Sequence, residues 1–119
     1  PYTRINDPRV TWGDGFILFK ADAMFPPFKM GYFNPHGWVA YWVDGILFRK
    51  TFAVHPGLHH PDNNCNAEIY CNDQFVELES LAPLKMLNPS DSVNHVEKWD
   101  VFDGMDSMPE EVRQVLAVS

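Results

Sequence analysis

Polar and apolar residues alternate along residues 66–80, and this alternation predicts a β-hairpin. The run reads NAEIYCNDQFVELES. Asn72-Asp73 can form a two-residue turn, because both residue types tolerate the positive φ of a type I′ turn. That turn would place Glu68 opposite Glu77. The apolar side chains then share one face, and the other face carries Asn66, Glu68, Tyr70, Phe75, Glu77 and Glu79.

The acidic face of this hairpin is the most unusual feature of the pattern. Glutamate is depleted in strands, and two like charges directly opposite each other cost on the order of 0.2–1 kcal/mol. Water, a basic partner, a shared proton, a metal or a ligand could offset that cost. Two interpretations stay open: a solvated outer sheet face, and a carboxylate-lined cleft with aromatic walls whose crowded carboxylates have split pKa values suited to acid–base chemistry.

A second hairpin is predicted over residues 38–54, where Asp44-Gly45 separates two β-rich runs. Both faces of this hairpin are mostly apolar, which predicts central strands covered on two sides. Arg49 and Lys50 therefore begin in half-buried positions. Either they reach solvent along their aliphatic stems, or one of them balances the carboxylates of the first hairpin.

The remaining pattern adds short elements around these two hairpins. Strands are predicted over residues 16–20, 28–33, 81–87 and 92–102. A capping box, Ser107 to Glu110, predicts a C-terminal helix over residues 107–117. We therefore expect an all-β fold, an antiparallel β-sandwich forming one domain over residues 1–119, with a short C-terminal α-helix.

Charge, length and cysteine content narrow the class of protein. The chain has 119 residues and a net charge of −7, which argues against a nucleic-acid partner. It contains no apolar run near the roughly 18–20 residues of a membrane span, so no membrane partner is expected. An extended strand would hold Cys65 and Cys71 about 20 Å apart, too far for a disulfide. A reducing, cytoplasmic location is therefore expected.

Histidines gather in the predicted loop over residues 55–64. His55, His59 and His60 lie there beside Asp62, and imidazole and carboxylate are ordinary metal ligands. Their spacing matches no standard zinc signature. A cupin-like site needs two histidines separated by one residue before a glutamate, whereas here two are adjacent. The favoured interpretation is a solvated loop with no metal and no cofactor.

Two segments resemble the C-terminal half of galactose-mutarotase-like proteins, the aldose epimerase superfamily, in an uncharacterised bacterial branch. The segments are GWVAYWVDGILFRKTF and CNAEIYCNDQFVELESLAPLKMLNPSDSVNHVEKWDVF, and the opening run PYTRINDPRVTWG resembles the middle of such proteins. The resemblance implies half of a supersandwich, with large antiparallel sheets packed face to face and a carbohydrate site on a concave surface. It also implies sugar-ring opening and closing without a cofactor.

The same resemblance assigns roles to individual residues. Glu79 aligns with the glutamate base of the epimerases, and Glu77 lies on the same face. Lys50 matches the lysine of the family's LF-K signature, and Glu68 matches its N-E glutamate. The histidine motif that supplies the acid in the epimerases is absent. The most similar run is NPHGW, which contains His36. Taken with the hairpin faces, the predicted catalytic residues are Glu79 and Glu77, and the predicted ligand-binding residues are Glu68, Lys50, Arg49, Trp38, Tyr70 and Asn66.

Three functions compete on this basis. The first is binding of a carbohydrate or another small polar ligand, which we favour because a base is visible without its acid. The second is an epimerase-like isomerase in which a cation such as Lys50 stabilises negative charge on the sugar oxygen. The third is a ligand-free assembly subunit. Because half a supersandwich leaves long sheet edges unpaired, a homodimer is expected.

Overall fold

The computed structural model describes residues 4–13, 15–21 and 26–106, and the regular secondary structure of this part of the chain is almost entirely antiparallel β-sheet. The all-β, sandwich-like prediction is confirmed. The predicted helix over residues 107–117 lies outside the described residues. The elements are β1 (Val10–Trp12), β2 (Ile17–Phe19), β3 (Phe28–Tyr32), β4 (Trp38–Val43), β5 (Ile46–Phe52), the short turn α1 (Pro61–Asn64), β6 (Ala67–Cys71), β7 (Val76–Ser80) and β8 (Glu97–Phe102).

Contacts group the chain into two compact units that interleave along the sequence. The first unit comprises residues 1–33 and 59–84, and the second comprises residues 34–58 and 85–119. The first contains the sheets β1-β2 and β3-β6-β7, and the second contains the sheet β4-β5-β8. The candidate site lies wholly within the first unit.

An aromatic and charged cluster packs the two sheets of the first unit together. The ring of Phe19 on β2 stacks on Phe28 on β3, with centroids 5.0 Å apart. The Arg9 guanidinium lies 5.2 Å from the Phe28 ring centroid and forms a 2.9 Å ion pair with Asp7. Hydrogen bonds from Arg9 lower the pKa of Asp7 to about 2, so this buried pair stays ionised. The two sheets therefore pack through the stacked rings of Phe19 and Phe28, and the Arg9–Asp7 ion pair lies against these rings.

The hairpin β6–β7 forms with the predicted faces but in a different register. The structure pairs Glu68 with Glu79 and Tyr70 with Glu77, so the predicted pairing of Glu68 with Glu77 is wrong by two residues. The connection is longer than predicted. Asn72 Oδ1 accepts hydrogen bonds from the backbone N–H groups of Gln74 and Phe75, which widens the turn. A shift of two preserves the face of every side chain, because strand side chains alternate with period two.

The second unit confirms the predicted turn at Asp44-Gly45. Both residues have positive φ, 51° and 75°, as a type I′ turn requires. The register of β4 with β5 is the predicted one. The prediction that both faces are covered is wrong near this turn, where Tyr41, Val43 and Ile46 are exposed.

The later strands are shorter than the sequence pattern predicts. The structure begins β8 at Glu97, five residues after the predicted start, and it forms no strand over residues 81–87. Pro83 removes one backbone donor from that segment. The Leu84 N–H instead donates to the His59 carbonyl at 2.7 Å, which ties the segment to the loop before α1.

The described ranges contain no helix with the length and apolar content needed to cross a bilayer. Cys65 and Cys71 are both free thiols, as predicted.

Candidate functional site

Two cross-strand rows build the acidic face of the sheet β3-β6-β7. One row runs Gly31, Glu68, Glu79, and the other runs Lys29, Tyr70, Glu77, each in the order β3, β6, β7. Residues opposed across paired strands share a face, so all six lie on one side of the sheet. The predicted gathering of three glutamates on one face is therefore present, and β3 adds a lysine to it.

The central interaction of this face is an ion pair between Lys29 and Glu68. Lys29 Nζ lies 2.8 Å from Glu68 Oε2, and the Glu68 side chain is only 2% exposed while that of Lys29 is 40% exposed. Among the described residues, no other donor forms a hydrogen bond with this oxygen. Glu68 raises the pKa of Lys29, chiefly through this contact. A buried carboxylate thus depends on one half-exposed ammonium for its charge balance.

Glu79 lies opposite Glu68, and its pKa is raised. Burial raises the pKa of Glu79, and the neighbouring carboxylates of Glu68 and Glu77 raise it further. The ammonium of Lys29 acts in the other direction but does not cancel these effects. Glu79 is therefore a stronger base than an ordinary glutamate, in a position where a proton could be shared between carboxylates.

Close packing around Gly31 explains why β3 has a glycine in this row. A Cβ at Gly31 would lie 2.9 Å from Cys65 Sγ and 3.0 Å from Glu68 Cγ, both inside normal contact distance. The missing side chain thus leaves room for the thiol and the carboxylate.

Burial raises the pKa of Cys65, and Glu68 and Asp62 raise it further, so the thiol is neutral and not an activated nucleophile.

A pocket of about 680 Å³ opens beside the ion pair. Its chemistry is mixed, with one ammonium, two carboxylates, two side-chain amides, a thiol and two aromatic rings. It is lined by Lys29, Gly31, Tyr32, Phe33, Asp62, Asn63, Asn64, Cys65 and Glu68. Pockets that combine apolar walls with a few fixed polar groups are typical of small-molecule sites.

One wall of the pocket is a left-handed turn. Asp62, Asn63 and Asn64 have φ of 51°, 59° and 69°, so α1 is not a right-handed helix despite its helical spacing. The turn is closed by the Cys65 N–H, which donates to the Pro61 carbonyl at 3.0 Å. Asparagine and aspartate are the non-glycine residues that adopt this conformation most readily. The sequence Asp-Asn-Asn therefore presents one carboxylate and two amides to the pocket from a defined backbone.

The predicted site residues divide between the two units. In the first unit, Tyr70 and the three glutamates share the acidic face. Asn66 is buried immediately before β6, where its N–H donates to the Tyr32 carbonyl at 3.2 Å. Lys50, Arg49 and Trp38 belong to the second unit. Their predicted roles in ligand binding stay predictions.

The two predicted cations have carboxylate partners on β8. Arg49 Nη2 lies 2.9 Å from Asp100 Oδ2, and its guanidinium lowers the pKa of Asp100. Lys50 Nζ lies 3.3 Å from Glu97 Oε1. The cation that meets the Glu68 carboxylate is instead Lys29.

The histidine loop shows no metal-binding arrangement. Over residues 4–13, 15–21 and 26–106, no three His, Cys, Asp or Glu side chains converge as metal ligands. His60 is buried, and its ring meets the Phe33 ring edge-on at 5.5 Å between centroids. This histidine packs in the interior of the first unit, while His55 and His59 are exposed.

Sequence reasoning missed Lys29 and the Asp62–Asn64 wall. Lys29 and Gly31 alternate with the apolar residues of β3, which indicates a polar face. The pattern does not show that β3 pairs with β6, and only that pairing places Lys29 beside Glu68. The Asp-Asn-Asn run does carry a signal for positive φ, but the sequence pattern predicts only a loop there, with Asp62 weighed as a metal ligand and not as part of a pocket wall.

Comparison of the chain with protein families, with curated proteins and with solved structures finds no match in any of the three. The geometry of the site therefore carries the functional argument.

We predict that Gly31→Ala lowers the free energy of unfolding by about 1–3 kcal/mol, because the added methyl group overpacks against Cys65 and Glu68. Urea denaturation measures the loss. Gly15→Ala is the matched control, since a Cβ there meets no atom within 4 Å and should leave stability unchanged within about 0.5 kcal/mol. Equal effects of the two substitutions would show that Gly31 is not a packing requirement.

Proposed function

We propose that the protein binds a carbohydrate or a similar polyhydroxylated small molecule in the pocket beside Lys29 and Glu68. The observation that carries this proposal is the composition of the pocket: fixed carboxylates and amides next to aromatic rings, around a carboxylate buried to 98%. Sugar hydroxyl groups need both donors and acceptors, and the less polar faces of a sugar ring pack on aromatic rings.

Three features of the pocket suit such a ligand. Asp62 offers exposed acceptor oxygens for hydroxyl protons, and the amide of Asn63 offers a donor as well as an acceptor. Asn64 offers its side-chain N–H groups, since its Oδ1 already accepts a hydrogen bond from the His60 N–H at 3.0 Å. Tyr32 and Phe33 provide apolar wall area. Burial raises the pKa of Tyr32, which keeps its hydroxyl neutral and able to donate.

The wider expectations from the sequence fit this proposal. A carbohydrate site on a sheet face is what the galactose-mutarotase-like resemblance implies. The two free cysteines suit a reducing, cytoplasmic location. Pairing of two copies would cover strand edges such as β7, which in the described part of the chain has one hydrogen-bonded neighbour.

Titration of the ¹⁵N-labelled protein with common aldoses tests the proposal. We expect saturable amide shifts at Gly31, Tyr32, Asn63 and Asn64, because these residues line the pocket. Asp62→Asn should weaken binding about 3- to 10-fold, since it replaces a charged acceptor but keeps a side chain that tolerates positive φ.

The matched control is Asp73→Asn, which removes the same charge from an exposed turn position of the same unit. Its affinity should equal that of the unmodified protein. If shifts are absent, or spread over residues remote from the pocket, the binding proposal fails.

A second candidate function is aldose epimerisation, and the raised pKa of Glu79 favours it. Glu79 would take the proton of the anomeric hydroxyl while the ring C–O bond breaks, and the ring oxygen would receive a proton. Solvent would supply that proton, because the raised pKa of Lys29 makes its ammonium a poor acid. Glu77 and Glu68 would tune the base through their charge.

If the epimerase function holds, Glu79→Gln should slow interconversion of sugar anomers about 100-fold or more, as polarimetry would measure. The rate of the unmodified protein should rise with pH through a pKa above the ordinary 4.5, because the base acts only when deprotonated. Asp73→Asn is again the control. Anomer exchange no faster than in buffer, or a rate unchanged in Glu79→Gln, contradicts this second function.

A further inference from the structure

The pocket carries more negative than positive charge. Its charged lining residues are Lys29, Asp62 and Glu68, which sum to −1. Glu79 faces the same lysine from β7, directly across from Glu68. A single ammonium is therefore surrounded by three carboxylates, each of which raises its pKa.

Lys29 is already engaged, so its charge is not available to an incoming anion. Its ammonium contacts the buried Glu68 carboxylate at 2.8 Å, and moving it to another partner would leave that carboxylate uncompensated. An uncompensated buried carboxylate is costly, because little solvent reaches it. A ligand with its own negative charge would have to compete with Glu68 for Lys29 while facing Asp62 and Glu79.

The exposed carboxylate of Asp62 favours a ligand that carries a positive charge. Asp62 lies on the left-handed turn, and its side chain is exposed beside the pocket. A cationic group placed between Asp62 and the rest of the acidic face would reduce repulsion that Lys29 alone leaves in place. A protonated amine meets this requirement and can donate three hydrogen bonds to carboxylates and amides.

We propose, building on the carbohydrate-binding function above, that the pocket selects amino sugars or similar amino polyols and rejects acidic sugars and sugar phosphates. Hydroxyl groups of the ligand form hydrogen bonds with the side-chain amides of Asn63 and Asn64. The protonated amine forms an ion pair with Asp62 and approaches the acidic face. Charge, in addition to shape, is what separates the ligand from common neutral aldoses.

A matched series of sugars tests this proposal on the intact chain. The probes are D-glucosamine, N-acetyl-D-glucosamine, D-glucose and D-glucuronate, with dissociation constants from ¹⁵N amide shifts below neutral pH, where the amine is protonated. We expect glucosamine to bind about tenfold more tightly than glucose, a difference of about 1.4 kcal/mol. The N-acetylated sugar should bind like glucose, and glucuronate should bind most weakly.

Two further measurements separate charge from other causes. Asp62→Asn should weaken glucosamine binding more than glucose binding and so remove most of the glucosamine advantage, whereas Asp73→Asn should preserve the advantage. Raising the salt concentration should reduce the ratio of glucosamine affinity to glucose affinity, because salt screens exposed charge pairs.

The outcomes distinguish this proposal from the function on which it rests. Glucuronate binding as tightly as glucosamine, with shifts at the pocket, would overturn the amine preference while carbohydrate binding stands. A glucosamine advantage that survives Asp62→Asn would also overturn it. If none of the four sugars shifts the pocket amides, both proposals fall.

Discussion

The buried carboxylate of Glu68 is the constraint on which the first unit depends. A charged group that is almost fully removed from water must have a counter-charge, and Lys29 supplies it at 2.8 Å from the adjacent strand. This requirement fixes which residues can stand at three positions. On β3, position 29 must carry a cation, and position 31 must have no side chain. On β7, Glu79 must lie close to the carboxylate of Glu68, which raises its pKa.

The same constraint links the fold to the proposed chemistry. Burial, together with the neighbouring carboxylates of Glu68 and Glu77, makes Glu79 easier to protonate, and Lys29, which is paired with Glu68, does not cancel this effect. The left-handed turn then adds a carboxylate and two amides at the edge of this charged row. The local rules that the chain breaks, like charges opposed across strands and three successive positive φ values, therefore occur together at one pocket. Such violations are expected where function opposes stability.

The sequence pattern predicted face assignments better than registers or partners. Alternation placed Glu68, Glu77 and Glu79 on one face, and period two made that result independent of a two-residue error in pairing. The error arose because Asn72 forms a wider turn through its own side chain, an outcome that a dipeptide pattern does not encode. Asp44-Gly45 left less freedom, since glycine and aspartate both fit positive φ, and that register was predicted correctly. Lys29 was missed because contacts between strands distant in sequence leave no local signal.

The double-mutant cycle of Lys29→Met and Glu68→Gln measures the central ion pair most directly. We expect Lys29→Met alone to lower the free energy of unfolding by about 2–3 kcal/mol, less than for a fully buried pair because Lys29 is 40% exposed. The double variant should recover most of this loss, since the neutral amide needs no counter-charge. Lys98→Met, which removes a 73% exposed lysine from its 3.3 Å pair with Asp100, should cost at most about 1 kcal/mol. A Lys29→Met variant as stable as the unmodified protein, or a coupling energy near zero, would contradict the role given to Glu68.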